Sequence, residues 1–504
     1  MTTANCAIAP RSSRSGSGVR RCLLGLLLGW VAGNATALER PNVIIILADD
    51  MGWGDVGFHG SDIATPNIDR LAATGVRLNQ FYAQPTCSPT RASLMTGQAA
   101  LRLGVLQPID KNLRGGLPLS LTTLPQYFHE AGYQTVMAGK WHLGHSNTAY
   151  LPNARGFEQS YGNLTGGVGY WDHIHGGGLD WHRNGKALRE EGYTTHLIAA
   201  EAIRLIENRD TTRPLFLYTA FNAPHLPNEA PTDTIDEYSS IESTNRRVHA
   251  AMVDELDQAI GRILDAVKRA GMADNTLIWF MSDNGGLKPG AGPPLLESIT
   301  HRLTTWFGKP LPEFGGLEFV RSNIQDGGSD NGPYRRGKGS VYQGGVLVPS
   351  VLYWPGRLPA RQLEKRVTVQ DVLPTLAQLA DLPLKENQPL DGSSQWDAIY
   401  SGYGSGTPDF VATGWEGEAL YHQQWKLVVA DADSPELYDL QADIEERHNL
   451  AAQFPALVID LQTRLAACPR GESIHQTPIW QLLLDMDAFG GAENRAPWAD
   501  RVVD

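Results

Sequence analysis

Four short apolar runs, each followed by polar residues, constrain the fold of this 504-residue chain more than any other feature of its sequence. The runs are residues 43–47, 135–138, 215–218 and 277–281, and they lack the strict polar alternation of a half-exposed strand. Continuous apolar strands are typical of a sheet that is buried on both faces. Amphipathic helical stretches such as residues 253–270 lie between them, and this alternation predicts an α/β fold with a mostly parallel sheet.

The polar residues after these runs are expected to lie close together, because ligands of such sheets bind beyond the carboxyl ends of the strands. They are Asp49 and Asp50 after the first run, Lys140 and His142 after the second, His225 beyond the third, and Asp283 and Asn284 after the fourth. The sequence therefore predicts one active site at this edge of the sheet.

Four members of this set, Asp49, Asp50, Asp283 and Asn284, offer oxygen ligands, which suit Ca²⁺ or Mg²⁺ better than zinc. An adjacent pair of aspartates is also common in a solvated turn or a helix cap. The second pair after another buried strand favours a metal site, and we expect one Ca²⁺, with Mg²⁺ as the alternative.

The length and composition predict a large domain and a smaller one. We expect the catalytic domain over residues 38–391 and a smaller C-terminal α+β domain, with an antiparallel sheet and a helix, over residues 392–504. Residues 287–333 are rich in glycine and proline and are interpreted as a functional loop. A formal net charge of −13 argues against a nucleic-acid partner.

The first 37 residues are typical of an export signal: several arginines precede a short apolar run at residues 22–32, and Ala35-Thr36-Ala37 offers a cleavage site. The alternative is an uncleaved membrane anchor, for which the run is short. We expect a mature protein without a membrane segment that is secreted or periplasmic, or lysosomal if the source is eukaryotic. Cleavage would leave Cys87 and Cys468, too few cysteines for a disulfide framework.

Cys87 heads the segment CSPTRASLMTG, in which Pro89 favours the first turn of a helix. The free N–H groups at such a helix start favour an anion, and Arg91 lies one turn further on. The residue alone permits two interpretations: an inert buried cysteine, which is the commonest fate of a free thiol, or a thiolate nucleophile.

A third interpretation comes from a family resemblance. The segment CSPTR followed by ASLMTG is similar to the sulfatase signature, with Thr90 where serine is common. Further blocks resemble sulfatases and stand in the family order: NVIIILADDMGWGD, GKWHLG, RGFEQSYG, SDNGG, GKGSVYQGG and ELYDLQADIEERHNLA. The resemblance spans residues 41–451 and implies an alkaline-phosphatase-like fold, in which helices sandwich a large mixed sheet.

The resemblance also implies how the site works. In the family the cysteine is oxidised after translation to formylglycine, so a formylglycine-generating or equivalent enzyme would be a partner of this chain. One hydroxyl of the hydrated aldehyde attacks sulfur, and loss of the proton from the other expels sulfate. The implied metal ligands are Asp49, Asp50, Cys87, Asp283 and Asn284. The implied catalytic residues are Cys87, Arg91, Lys140 as a sulfate contact, His142 as the base at the second hydroxyl, and His225 and Lys338 as sulfate contacts and proton donors to the leaving group.

The implied substrate is a sulfated carbohydrate, with aryl sulfates also accepted. Within the family the chain is most similar to enzymes acting on 4-sulfated N-acetylgalactosamine. Trp171, His173 and His175 would share one face of an extended segment and could bind a sugar, although a loop packed on itself is an equal alternative. Many relatives carry glutamate at the position of Gln343 and arginine at that of Leu347, which bears on support of the Lys338 loop.

Two other classes of function stay open from the sequence. A phosphonate or phosphate ester hydrolase on the same scaffold would also use a metal and an activated nucleophile. A non-enzymatic binding protein could retain the fold, but the complete set of candidate ligands and bases argues against it.

Overall fold

The computed structural model describes residues 40–474, except residues 112, 114, 176, 177, 289–326, 405, 407 and 431–433. The predicted export signal and most of the predicted loop at residues 287–333 therefore lie outside the described residues. Among the residues that are described, no helix is both long and apolar enough to cross a membrane.

The strands and helices of the described residues follow in chain order. The strands are β1 (Asn42–Ala48), β2 (Val76–Leu78), β3 (Phe81–Tyr82), β4 (Gln134–Gly139), β5 (Gln159–Gly162), β6 (Ile174–His175), β7 (Gly178–Leu179), β8 (His182–Arg183), β9 (Lys186–Ala187), β10 (Leu215–Ala220), β11 (Thr276–Ser282), β12 (Leu347–Val348), β13 (Ser350–Tyr353), β14 (Arg361–Leu363), β15 (Val367–Thr368), β16 (Phe410–Thr413), β17 (Gly417–His422), β18 (Trp425–Ala430) and β19 (Glu436–Asp439). The α-helices are α1 (Pro66–Thr74), α2 (Cys87–Thr96), α3 (Ala100–Leu103), α4 (Leu124–Glu130), α5 (Thr194–Glu207), α6 (Thr232–Glu237), α7 (Thr244–Arg269), α8 (Gln343–Val346), α9 (Val372–Ala380), α10 (Trp396–Ser401) and α11 (Pro455–Ala467).

The large sheet has the strand order β14-β2-β13-β11-β1-β10-β4-β5-β8-β9. Strands β11, β1, β10, β4 and β5 at its centre are parallel, and antiparallel strands flank them on both sides. In the register of this centre, Val43 lies beside Phe216 on one side and Leu277 on the other. The four apolar runs of the sequence are therefore four adjacent parallel strands, as predicted, and the mixed, mostly parallel sheet is confirmed.

Strand β1 shows why its apolar run is continuous. Successive side chains of a strand point to opposite faces of the sheet. Val43 and Ile45 belong to the buried cluster that includes α2, α4 and α9, whereas Ile44 and Ile46 belong to the cluster that includes α1, α5 and α7. Both faces of the sheet are covered by helices, so neither set of side chains reaches water.

Helix α7 begins nine residues before the predicted start at Val253. The Ser243 side chain caps it by accepting the backbone N–H of Arg246, and the buried residues start at His249. The apolar pattern visible in the sequence thus marks the buried part of the helix, and the polar first turns extend it towards solvent.

The small C-terminal sheet is antiparallel, with the order β16-β17-β18-β19. Helix α11 packs on it through Val458, Leu461 and Leu465, which share a buried cluster with Leu420 and Leu427 of the sheet. The predicted C-terminal arrangement of a helix on an antiparallel sheet is present, while the domain limits 38–391 and 392–504 stay predictions.

Candidate active site

The four central strands bring the predicted polar residues to one edge of the large sheet. Asp49 and Asp50 follow β1, Asp283 and Asn284 follow β11, and Lys140 follows β4, with all five residues buried. Because β11, β1, β10 and β4 are neighbours, the strand ends converge as the sequence predicts. The predicted juxtaposition is thus present in the fold.

Gly139 allows this close approach at the end of β4. Its φ is +113°, and a Cβ atom there would lie 1.8 Å from the backbone oxygen of Ala220 on the neighbouring strand. A residue with a side chain would push the two strands apart. The glycine therefore lets Lys140 reach Asp49, where Lys140 Nζ donates to Asp49 Oδ2 at 2.5 Å.

Hydrogen bonds connect the aspartate and asparagine residues of this cluster. The backbone N–H of Asp50 donates to Asp283 Oδ1 at 3.2 Å, and Asn284 Nδ2 donates to Asp50 Oδ1 at 2.7 Å. Ligand atoms of Asp49, Cys87 and Asp283 all lie within 4.8 Å of one another. Burial and the neighbouring charge of Asp283 raise the pKa of Asp49 to about 8, although Lys140 and Arg91 partly oppose this shift.

Two oxygen atoms in this cluster have no hydrogen-bond partner among the described residues. They are Asp49 Oδ1 and Asn284 Oδ1, and both are buried. A buried oxygen without a partner is costly, so such atoms are expected to bind something that the protein itself does not provide. Carboxylate and amide oxygens are ligands preferred by Ca²⁺ and Mg²⁺, and the residues present therefore fit a hard divalent cation.

Cys87 is the first residue of helix α2 and is buried beside this cluster. Burial raises the pKa of its thiol, although Lys140 and Lys338 partly oppose the effect. A reactive thiolate needs a lowered pKa. The unmodified side chain is therefore poorly suited to act as a thiolate nucleophile.

Three buried cations surround Cys87 and the acidic cluster. Arg91 donates from Nε and Nη2 to Asp283 Oδ2 at 3.0 and 2.8 Å, and from Nη1 to the backbone oxygen of Lys140 at 2.8 Å. Lys338 Nζ donates to Asp50 Oδ2 at 2.7 Å. Burial would lower the pKa of Lys338, but the attraction of Asp50 outweighs it and raises that pKa above its ordinary value. Lys338 therefore carries its proton in this site.

His142 lies in a left-handed conformation, with φ +60°, so the backbone turns directly after Lys140 and Trp141. Its Nε2 lies 3.1 Å from the backbone oxygen of Ile109, which can only accept, so Nε2 carries the proton. Nδ1 is then a bare acceptor, with no partner in the described part of the chain. Burial and the charge of Lys140 lower the pKa of His142 well below its usual value, which keeps the ring neutral.

His225 has the opposite arrangement of its two nitrogens. Nδ1 donates to the backbone oxygen of Leu226 at 2.6 Å, and Nε2 faces Asp50 Oδ2 at 3.6 Å. Burial and Lys338 lower the pKa of His225 to about 3, so Nε2 carries no proton at neutral pH. Of the two predicted proton donors, Lys338 is thus the protonated one.

The predicted sugar-binding segment departs from the expected geometry. His173 has φ +59° and stacks on Trp181 with the ring centroids 4.6 Å apart, so it is buried in the fold. Trp171 is exposed and packs against Tyr193, and His175 is partly exposed in β6. The three side chains therefore do not share one extended face, because the turn at His173 redirects the chain.

Three polar residues near the strand ends were missed by the sequence reasoning. Ser329 Oγ donates to the backbone oxygen of Asp50 at 3.2 Å, and Asn331 brackets Gly286 through hydrogen bonds to its N–H and its oxygen. Asn222, just beyond β10, is buried with neither amide atom partnered among the described residues. The position of Asn222, two residues after the buried strand β10, is the sequence signal that could have identified it.

Comparisons with known proteins agree with this geometry. The sulfatase family model matches residues 41–382. Arylsulfatase J of Mus musculus is 31% identical, covering 86% of this chain and 76% of the relative. N-acetylgalactosamine-6-sulfatase of Homo sapiens is 30% identical, covering 76% and 70%. The crystal structure of Ps i-CgsB in complex with k-i-k-neocarrahexaose aligns with a TM-score of 0.73 at 30% identity, covering 89% of this chain and 98% of that one. This chain is a member of the sulfatase family and a sulfatase enzyme.

Proposed function

We propose that this sulfatase removes sulfate from a sulfated carbohydrate, with a formylglycine made from Cys87 and one divalent cation. The observation that carries the proposal is the position of Cys87, at a helix start between acidic oxygens and three buried cations. Two relatives support a sugar substrate: one is named an N-acetylgalactosamine-6-sulfatase, and one was solved with a neocarrahexaose.

The charge balance supports an anionic substrate. The three carboxylates, Asp49, Asp50 and Asp283, are balanced in formal charge by Arg91, Lys140 and Lys338. A bound divalent cation would leave the site positive by two charges, although the chain as a whole is acidic. Such a local field attracts a sulfate ester into the site.

We propose Asp49, Asp50, Asp283 and Asn284 as the protein ligands of the cation, together with the modified side chain at position 87. The unpartnered Asp49 Oδ1 and Asn284 Oδ1 support this assignment. Calcium and magnesium both prefer oxygen ligands, and we propose calcium with magnesium as the alternative. The cation would lower the pKa of a hydroxyl at position 87 and neutralise a sulfate oxygen.

The surrounding side chains divide the proton transfers in this proposal. Lys140 and Lys338 orient the sulfate, and Lys338, which is protonated, donates to the leaving alcohol. His225 is neutral, and its bare Nε2 can accept a hydrogen bond from a hydroxyl group of the substrate. His142 accepts a proton at Nδ1 when sulfate is expelled, since its Nε2 is already committed to Ile109.

A panel of esters tests the proposed substrate class. We expect the highest kcat/KM on sulfated N-acetylgalactosamine, measurable turnover of an aryl sulfate, and much slower reaction of the matching phosphate and phosphonate esters. The 4-sulfated and 6-sulfated sugars are assayed separately by chromatography, because the position is the finer part of the proposal. A preference for the phosphorus esters would favour the alternative hydrolase.

Formylglycine at position 87 is tested by mass spectrometry of peptides from active enzyme. We expect the Cys87 peptide to carry an aldehyde in place of the thiol, since Cys87 heads the full signature. Cys468 in the same digest is the matched control and should remain a thiol, because its sequence surroundings lack the signature. Fully active protein with only unmodified Cys87 would contradict the proposal.

Trp171 is the exposed candidate for a sugar contact. Its neighbour Tyr170 donates through its hydroxyl to the backbone oxygen of His225 at 2.8 Å, which ties this segment to the site. Trp171→Ala is expected to lower kcat/KM on a sulfated sugar by about 3- to 10-fold, the usual range for an aromatic contact, and to spare a small aryl sulfate. Tyr403→Ala, which removes another exposed aromatic side chain, is the control. Equal losses on both substrates would remove the case for a sugar contact.

We also propose export, to a secreted, periplasmic or lysosomal location according to the source. The support is the predicted signal over residues 1–37. Maturation would then require a formylglycine-generating or equivalent enzyme that acts on the chain before or during its export.

A further inference from the structure

The segment that follows Lys338 is held between the start of helix α2 and the small C-terminal sheet. Gly339 donates its N–H to the backbone oxygen of Pro85 at 2.7 Å and accepts the backbone N–H of Trp415 at 2.8 Å. Its φ is +84°, and a Cβ atom there would lie 2.0 Å from Trp415 Cε3. The residue beside Lys338 is therefore fixed on one side by the Cys87 region and on the other by the turn before β17.

Acidic side chains of the small C-terminal region hold the next backbone N–H groups of this segment. Glu416 accepts the Ser340 hydroxyl and, at 3.2 Å, the backbone N–H of Val341. Glu446 Oε2 accepts the backbone N–H of Gln343 at 2.8 Å. These groups lie at the start of the short helix α8, whose first N–H groups have no partner within the helix.

A buried ion pair supports this arrangement. Lys426 Nζ pairs with Glu446 Oε1 and donates to the backbone oxygen of Val341 at 2.8 Å. Both charged side chains are fully buried. A buried pair of this kind is often no more stabilising than apolar residues of the same size, so its value lies in fixing a geometry. Here Lys426 holds the backbone oxygen of Val341, and Glu446 holds the backbone N–H of Gln343.

Gln343 shows how this chain satisfies the position where many relatives carry glutamate. Its Nε2 donates to the Tyr82 hydroxyl at 2.9 Å, and its Oε1 accepts the Tyr421 hydroxyl at 3.2 Å. Because the amide uses both its donor and its acceptor, this uncharged side chain meets the hydrogen-bonding needs of the position without an ion pair. The charge that supports the segment is therefore on Glu446, which lies 103 residues further along the chain.

We propose that Glu446, paired with Lys426, is a positioning residue for the reaction: it holds residues 339–343 so that the Lys338 ammonium is presented at the sulfate site. The inference rests on the proposed role of Lys338. Glu446 touches neither Asp50 nor Cys87 in the described residues, so its influence on the reaction must pass through the Lys338 segment.

A double-mutant cycle between Glu446 and Lys338 tests this proposal. Glu446→Ala is expected to lower kcat/KM on an aryl sulfate by about 10- to 100-fold, as displacements of roughly 1 Å do at catalytic groups. In the Lys338→Ala background the same substitution should change kcat/KM by less than about twofold, because its effect passes through Lys338. Independent effects would instead multiply, so the full loss would appear again in that background. Glu446→Gln keeps an acceptor for the Gln343 N–H and should lose less.

Controls separate positioning from folding. Leu461→Ala weakens the core under the small sheet without touching the Lys338 segment, so it should lower Tm and leave kcat/KM per folded molecule unchanged. If Glu446→Ala fails to fold, the paired change Lys426→Met with Glu446→Gln removes both charges together and keeps the acceptor. This double substitution should lower activity in the protein that retains Lys338 and should have little further effect in the Lys338→Ala background.

Two results would overturn the inference: an equal loss from the Glu446 substitution in both backgrounds, or full activity of folded Glu446→Ala. A fully active Lys338→Ala variant would instead refute the assigned role of Lys338, and the inference with it. The activity of Lys338→Ala therefore separates the two failures. A fully active variant refutes the proposed role of Lys338, whereas an impaired variant keeps that role and leaves the positioning role to be decided by the double-mutant cycle.

Discussion

If the proposed divalent cation is bound, the Asp283→Ala variant is expected to lose it, together with roughly 10³-fold or more in kcat/KM on sulfate esters, since a metal ion contributes several kcal/mol to such reactions. Asp283 Oδ1 accepts the backbone N–H of Asp50, and Oδ2 accepts two N–H groups of Arg91. The substitution therefore removes a ligand oxygen together with a contact that fixes the next ligand. Elemental analysis of the purified variant and kinetics on an aryl sulfate measure the two losses.

Companion variants separate metal binding from folding. Asp283→Ala leaves the buried Arg91 without its nearest partner, and breaking a buried pair costs about 3–5 kcal/mol. Asp283→Asn keeps the shape and one oxygen, so it should fold and bind metal more weakly. In the control, Asp257→Asn alters a buried carboxylate that accepts backbone N–H groups at the start of α1, and metal content should not change. Stoichiometric metal in Asp283→Ala would contradict the ligand assignment.

His142→Ala is expected to release one equivalent of alcohol in a burst and then to turn over about 10²–10⁴-fold more slowly than the parent, the usual contribution of a general base. The first step keeps Arg91 and the acidic cluster, whereas the second loses the acceptor at Nδ1. Enzyme-bound sulfate should therefore accumulate. Rapid-quench kinetics with an aryl sulfate, with mass spectrometry of the quenched protein, follow both quantities.

The matched control for this variant is His182→Ala. His182 is a buried histidine in β8 whose pKa is also lowered by burial, to about 4. Because it is not among the proposed site residues, its removal is expected to cost stability without removing the proposed base. No burst is expected from it. Lys338→Ala should slow the first step, because it removes the proton donor to the leaving alcohol. A burst in Lys338→Ala but not in His142→Ala would show that the two roles are reversed.

The centre of the sheet and the convergence of its polar ends could be predicted because both depend on local patterns. An apolar run such as residues 43–47 identifies a buried strand, and polar residues directly after such runs must lie at one edge of a parallel sheet. The helix start at Cys87 is equally local. Asp49, Asp283 and Lys140 were therefore predictable from one sequence.

The rest depends on contacts between distant residues. The turn at His173 follows from its stacking on Trp181 and its hydrogen bond to the backbone oxygen of Gly192, which no short window of sequence contains. Glu446 and Gln343 are separated by 103 residues, and the block ELYDLQADIEERHNLA that contains Glu446 does not indicate which of its residues supports the site. For residues 171–175 the sequence left an extended segment and a loop packed on itself as equal alternatives, and tertiary packing decides between them.

The strand order also has a consequence for biosynthesis. Strand β1 lies between β10 and β11, so the site around Cys87 cannot close until the chain has been synthesised past Asn284, about 200 residues after the cysteine. At roughly 5–20 residues per second, Cys87 stays accessible for about 10–40 s before its central partners exist. Since Cys87 is 1% exposed once folded, the proposed modifying enzyme would have to act within that interval or on an unfolded chain. A protein folded with an unmodified thiol should therefore be inert and should resist later maturation.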